Sequence, residues 1–319
     1  MLKVAFRTDA SVEIGTGHVV RCLTLADIFK KLGVHVIFST IGESAQVVSK
    51  LSEYPVISPD QLEEEGADFI VIDHYGLDDS YRKKCKEWAK KTVIIDDINV
   101  QSFTCDYLIS QNPVFTANEY KEQTQANTKI FCGPEYLLLR PEFIIPPAKV
   151  RQRSVPPKKI LLFFGGTDNP GLTTRVLNIF KTIQHKAELI VVSGMANRDN
   201  PAIESLSQEL GARHYINTNK MHELVEEADM GISCGGTAIW ERLAMGLPTL
   251  ELVHSDFQIP VLKQLDKAGY IHYLGDCRIL DDTAIRTGIE KALEHGITIT
   301  PCRCGHETES MAKQILAGI

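Results

Sequence analysis

The chain has 319 residues, 44% of them apolar and 24% charged, which is the composition of an ordinary globular protein. Its formal charge of −7 argues against broad binding to nucleic acid or to an anionic membrane surface, while leaving room for a local pocket that takes a phosphorylated ligand. At about 150 residues per domain the length points to two domains, and no apolar run approaches the roughly 18 residues of a spanning helix.

The opening MLKVAFRTD enters a strand without the long apolar stretch of a signal peptide, so a cytoplasmic location is the expectation. Between that strand and a helical LTLADIFKKLG lies DASVEIGTGHVVRC. Gly15 and Gly17 permit close approach of a ligand to the backbone. The spacing is neither a dinucleotide fingerprint, for want of a third glycine, nor a P-loop, for want of the Lys-Ser/Thr ending, so it supports no nucleotide cofactor at this end. His18, with an ordinary pKa of about 6.5, is either a base suited to neutral pH or a histidine that caps and packs at a helix start.

The next runs, VHVIFST, DFIVIDHY, TVIIDDI and DYLIS, are apolar without alternation, as parallel strands covered on both faces are. Segments such as DSYRKKCKEWAKK between them have helical spacing. Asp73, His74 and Tyr75 directly follow one strand. Either Asp73 orients a histidine and Tyr75 binds a sugar hydroxyl or a water, or this is a solvated strand end with an Asp cap. Asp96 and Asp97 are similar but less distinctive, and nothing reveals the two carboxylates that a paired-carboxylate glycosidase sets across its substrate.

Residues 144–159, IIPPAKVRQRSVPPKK, read as a linker. They divide an N-terminal α/β domain, residues 1–147, from a C-terminal nucleotide-binding α/β domain, residues 158–319. The second half repeats the plan with KILLFFGG, AELIVVSG, MGISCGG and PTLELV. The expected fold class is therefore α/β, two doubly wound, Rossmann-like domains facing a cleft. The terminal ESMAKQILAGI reads as a helix that packs back on the N-terminal domain.

Two loops of the second half stand out. In FFGGTDNPGLTTRV, Gly165 and Gly166 allow close approach and Asp168 or Asn169 can cap a helix; the local structure accounts for this loop, with Gly166 a candidate ligand contact. In GISCGGTAIWERLAMGLPTLELVHSDFQ, Ser233, Gly235, Gly236 and Thr237 sit between a strand and a helix, where N–H groups and the helix dipole suit a diphosphate. Glu241 follows Thr237 by one turn and can accept both hydroxyls of a ribose. The cluster Cys302-Arg303-Cys304-Gly305-His306 lacks a second, similarly spaced group of ligands and reads as reduced thiols, not a metal site.

The block CGGTAIWERLAMGLPTLEL resembles the donor-nucleotide site of GT-B glycosyltransferases, particularly the transferase that adds N-acetylglucosamine in peptidoglycan synthesis. FRTDASVEIGTGHVVRCLTLA, together with VIDHYGLD, CGPEYLLLRPEF and GGTD, resembles the UDP-2,4-diacetamido-2,4,6-trideoxy-β-L-altropyranose hydrolases of the pseudaminic acid pathway and related spore-coat polysaccharide proteins. The resemblance implies a GT-B fold that hydrolyses a UDP-sugar, with no metal and no cofactor. It makes His18 the base, matches Tyr75 to the tyrosine after Asp-His, and matches Glu241 to the carboxylate on the ribose. Arg7, Asp9 and Asp73 lie in matching motifs, and Arg21 is a supporting charge. Gln258 is kept, whereas Phe257 stands where the family has asparagine and Tyr81 where it has tryptophan. A GT-B transferase using the same donor site, or a non-catalytic nucleotide-sugar-binding subunit, is the alternative. The oligomeric state is not legible.

Overall fold

Seven apolar runs of the first half become strands of one sheet: β1 (Lys3–Thr8), β2 (His35–Ser39), β3 (Val56–Ile57), β4 (Ala67–Asp73), β5 (Ala89–Asp96), β6 (Tyr107–Ser110) and β7 (Lys129–Cys132). The computed structural model describes residues 1–319 except 12–14, 43, 45–47, 99–101, 113–114, 147–148, 257, 303 and 319. The strand order is β3-β2-β1-β4-β5-β6-β7, with every pairing parallel. Ile70, Val71 and Ile72 show why the runs lack alternation: successive side chains leave β4 on opposite faces and both faces are buried. Ile70 and Ile72 join Ala5, Ile94 and Tyr120 on one face. Val71 joins Phe6, Val93 and residues of the helix Gly17–Lys31 on the other.

The second half forms its own parallel sheet from β8 (Lys159–Phe163), β9 (Glu188–Ser193), β10 (Arg213–Ile216), β11 (Met230–Cys234), β12 (Thr249–Val253) and β13 (His272–Asp276). Its order is β10-β9-β8-β11-β12-β13. Both sheets are doubly wound. The chain builds outward from the first strand of each, then returns to that strand's other side. The reversal falls between β1 and β4 in one sheet and between β8 and β11 in the other. Loops leaving the carboxyl ends of strands at such a switch point are where ligands bind in open α/β sheets.

The chain divides into two compact units, Met1–Arg140 with Arg303–Ile319, and Pro141–Cys302. The division thus falls at residue 140, ahead of the 147 and 158 read from the sequence, and residue 147 lies outside the described residues. The C-terminal helix Thr308–Leu316 belongs to the first unit, where Met311, Ala312 and Ile315 are fully buried and the Thr308 hydroxyl donates to the Leu137 carbonyl at 2.9 Å. Apart from residues 147 and 148, the proline-rich stretch 144–159 is part of the second unit. Arg151 and Arg153 give their guanidinium N–H groups to carbonyls at the end of the helix Met221–Glu227, and Arg151 also pairs with Asp229 at 2.7 Å. These are acceptors that a helix end otherwise leaves without partners. Cys302 and Cys304 are disulfide-bonded, contrary to the reduced thiols expected. Among the described residues no helix is long and apolar enough to cross a membrane.

Candidate active site

The switch point of the first unit gathers most of the polar residues singled out in its sequence. β1 and β4 are in register with Thr8 beside Asp73, so the β4 end lies next to the loop that leaves β1. That loop turns back on itself: the Gly15 N–H donates to the Ser11 carbonyl at 2.9 Å, and Gly15 takes φ of 84°, where a side chain would be strained. Gly17 then opens the helix Gly17–Lys31, which puts His18 and Arg21 one turn apart on the face towards β4.

Nδ1 of His18 lies 2.6 Å from Oδ1 of Asp73. A carboxylate only accepts, so Nδ1 carries the hydrogen, and in the neutral ring the lone pair is then at Nε2. Asp73 is fully buried and is clamped by Arg21, whose Nε donates to Oδ2 at 2.5 Å and whose Nη2 donates to Oδ1 at 2.6 Å. Burial pushes the Asp73 carboxyl upward, but the charges of Arg21 and His18 and the hydrogen bonds from both outweigh it and hold the carboxyl well below the usual range. Burial likewise works against the Arg21 charge and is overcome by Asp73 and Asp97, so its proton is held more firmly than usual. Removing one partner of such a buried pair costs about 3–5 kcal/mol, because the other charge is left stranded.

Two further residues complete this network. Asp97, just past β5, accepts from Arg21 Nη1 at 2.7 Å and from the Tyr75 hydroxyl at 2.6 Å. Desolvation of its hydroxyl end and the Asp97 charge together push the phenol of the half-exposed Tyr75 well above its ordinary range, so it acts as a donor. The Tyr75 ring meets the His18 ring edge-on, with centroids 4.5 Å apart. His74 faces elsewhere. Its Nδ1 accepts the Gly76 N–H at 2.9 Å, which leaves Nε2–H to donate to Asp9 at 3.1 Å. Asp9 also receives both Arg7 nitrogens, at 2.7 and 2.9 Å, and the Ile41 N–H at 2.7 Å. Burial opposes the charge on Asp9, yet His74, Arg7 and Ile41 hold its carboxyl below the usual range. Arg7 and Asp9, which the resemblance makes candidate substrate contacts, are thus buried against each other, and Asp9 also holds His74, next to Tyr75. Asp97 had only its strand-end position to recommend it, and His74 only its place between Asp73 and Tyr75.

The glycine loops of the second unit sit at that unit's own switch point. Gly166 follows β8 and is exposed; Gly235 is buried under Leu262, while Gly236 and Thr237 are exposed at the start of the helix Ala238–Ala244. Gly236 has φ of 148°, which disfavours any side chain there, and an added Cβ would meet nothing within 4 Å. Thr237 makes no side-chain cap; the Ile239 and Trp240 N–H groups turn instead to the Gly236 and Thr237 carbonyls, at 3.1 and 3.2 Å. Glu241 is half-buried on that helix. The Gln258 amide donates to the Gly235 carbonyl at 3.0 Å and so ties down the loop. Phe257 lies outside the described residues. Ser233 departs from the sequence reading. Its hydroxyl is buried and donates to Glu251 at 2.8 Å, in register across β11 and β12, where Arg242 also reaches Glu251 at 2.8 Å. Its side chain thus belongs to the support beneath the loop. Asp168 caps the helix Leu172–Phe180, taking the Leu172 and Thr173 N–H groups at 2.9 and 2.7 Å.

No family model matches the chain. It is 28% identical over 277 residues to an uncharacterized protein of Methanocaldococcus jannaschii, covering 81% of this chain but only 57% of that protein. It is 25% identical over 280 residues to the UDP-2,4-diacetamido-2,4,6-trideoxy-β-L-altropyranose hydrolase of Campylobacter jejuni, covering 84% of this chain and 98% of the hydrolase. It is 24% identical over 301 residues to the spore coat polysaccharide biosynthesis protein SpsG of Bacillus subtilis, covering 89% and 87%. Among solved structures it superposes on MurG of Acinetobacter baumannii with a TM-score of 0.65 at 14% identity, covering 99% of both chains. The fold is GT-B. A UDP-GlcNAc 2-epimerase of Neisseria meningitidis bound to UDP-GlcNAc shares the GT-B architecture, with a TM-score of 0.59 at 10% identity over 100% of both chains. The structural neighbours thus include a calicheamicin glycosyltransferase and a UDP-GlcNAc 2-epimerase, while the named sequence relatives are a UDP-sugar hydrolase and a polysaccharide biosynthesis protein.

Proposed function

We propose that the chain is a nucleotide-sugar hydrolase, releasing UDP and a free amino-deoxy sugar for the biosynthesis of a nonulosonic acid or a surface polysaccharide. The observation that carries the reading is the 2.6 Å contact between His18 Nδ1 and a fully buried Asp73. It supports a neutral imidazole with its hydrogen on Nδ1 and its lone pair on Nε2, the form that a base acting on water requires. The similarity to the Campylobacter jejuni hydrolase, which spans nearly all of that protein, supports the reaction class.

In this reading the second unit holds UDP, with Gly235, Gly236 and Thr237 at the diphosphate, Glu241 at the ribose, and Gly166 and Gln258 beside them. The first unit supplies the base. His18 Nε2 takes a proton from water as the water oxygen bonds to the anomeric carbon and the bond from that carbon to the UDP oxygen breaks. UDP departs as a weakly basic anion, so the loop N–H groups serve it by stabilising charge. Asp73 holds the ring in the required tautomer and balances the imidazolium that forms. Tyr75 packs its ring against His18 at the same end of the sheet. The reaction would take place inside the cell, where nucleotide sugars are made.

The test is a screen of UDP-, GDP-, dTDP- and CMP-sugars for nucleotide release, with wild-type protein and His18→Ala. A general base contributes about 10²–10⁴-fold. Turnover should therefore fall by that factor in the variant while UDP binding is kept, and unchanged turnover refutes the role of His18. Nucleotide release that requires an added acceptor would make the chain a transferase. UDP binding without release from any donor would make it a binding subunit.

A further inference from the structure

Arg21 answers to two carboxylates, and only one of them touches His18. Its Nε and Nη2 grip Asp73, and its Nη1 is taken by Asp97. Resting on the reading of His18 as the base, we propose that Asp97 is a positioning residue for His18: it engages Arg21 and Tyr75 so that the Asp73 carboxylate remains available to the imidazolium.

The argument is one of charge and geometry together. Asp73 and Asp97 carry two negative charges and Arg21 one positive, leaving one net negative charge when His18 is neutral and none when it is protonated. The cluster is therefore balanced in the state that follows proton transfer from water. Without the Asp97 charge, Arg21 alone would neutralise Asp73, and protonated His18 would add an unmatched positive charge to a buried site.

Asp97 is itself well held. Its carboxylate takes the Tyr75 hydroxyl as well as Arg21, and its backbone carbonyl accepts from Asn112 Nδ2 at 3.1 Å. Through Tyr75 it also fixes the ring set edge-on against His18. Among the described residues, the groups facing His18 are Arg21 on its own helix, with Nη2 3.5 Å from Nδ1, then Asp73 and Tyr75 from the end of β4, and Asp97 behind Arg21 from the end of β5. Cys22 adds a weak thiol contact to Asp73 at 3.5 Å, and burial pushes that thiol upward, so it brings no charge of its own.

Asp97→Asn preserves the shape and removes the charge. In nucleotide-release kinetics, on a sugar nucleotide that wild type turns over, kcat should fall about tenfold with KM nearly unchanged. The acid limb of the pH–rate profile should move about one unit lower, since loss of a nearby opposite charge weakens the base. Tyr75→Phe keeps the Asp97 charge and should leave that limb in place. Asp97→Ser, a smaller neutral variant, should repeat the displacement. The NMR titration of the His18 ring, assigned with His18→Gln, should move the same way and needs no substrate. A lower plateau without a displaced limb, or an unmoved ring titration, overturns the proposal. If wild type hydrolyses no sugar nucleotide, the hydrolase reading fails and the ring titration alone decides the role of Asp97.

Discussion

Replacing Asp73 with asparagine separates the structural and chemical duties of one carboxylate. The side chain keeps its shape, but a fully buried acceptor of three close N–H donors, from Arg21 and His18, loses its charge. Arg21 is then stranded with only Asp97 opposite it, and breaking a buried pair in this way costs about 3–5 kcal/mol. For a domain of this size that corresponds to a drop in melting temperature of about 6–20 °C. Turnover should fall by about 10²–10⁴-fold, because the amide no longer selects the Nδ1–H tautomer of His18 or balances its charge. The assay pairs calorimetric melting with UDP release. A companion double variant, Asp73→Leu with Arg21→Met, removes both charges and should recover much of the melting temperature while staying inactive. An Asp73→Asn protein that melts like wild type refutes the reasoning about the buried pair. One that turns over like wild type refutes the dyad.

Three other outcomes follow from the geometry. Gly236→Ala adds a side chain at φ of 148° with open space around it, so the effect is backbone strain of about 1 kcal/mol or more; calorimetric titration should find UDP bound several-fold more weakly. Asp73 and Asp9 both have folded pKa values below their unfolded values, so their stabilisation is complete above the unfolded value of about 3.9 and is lost as pH falls below it. Urea melts should therefore lose stability on acidification below about pH 4, and less steeply in Asp73→Asn. Hydrolysis in oxygen-18 water should place the label in the sugar, with inversion at the anomeric carbon; label in UDP would mean cleavage of the P–O bond.

Much of this was readable from local pattern. The unalternating Val and Ile runs at β4 and β5 announced strands buried on both faces, and Gly15, Gly17 and His18 announced a loop opening a helix. What local pattern could not supply was neighbourhood. That Asp97 reaches Arg21 depends on β5 lying beside β4, and 76 residues of sequence separate the pair. Ser233 reads as part of the loop between a strand and a helix; it lies within β11, whose register against β12 sets its hydroxyl beside Glu251. Arg7 and Asp9 stand out because they lie in motifs matching the resembled family, and the structure pairs them with each other. The prolines, the basic residues and the missing apolar periodicity of the stretch 144–159 mark a linker, but none of them reveals a tertiary contact. Its hold on the second unit comes instead from two arginines capping a helix end far along the chain.

The return of the helix Thr308–Leu316 to the first unit has a consequence for the order of synthesis. The second unit is one continuous segment, complete once residue 302 has emerged from the ribosome. The first unit lacks Met311, Ala312 and Ile315 until the segment that follows the second unit is made. During translation the apolar cluster that these three residues join therefore stays incomplete while the whole of the second unit is produced, so the first unit cannot be finished before the second.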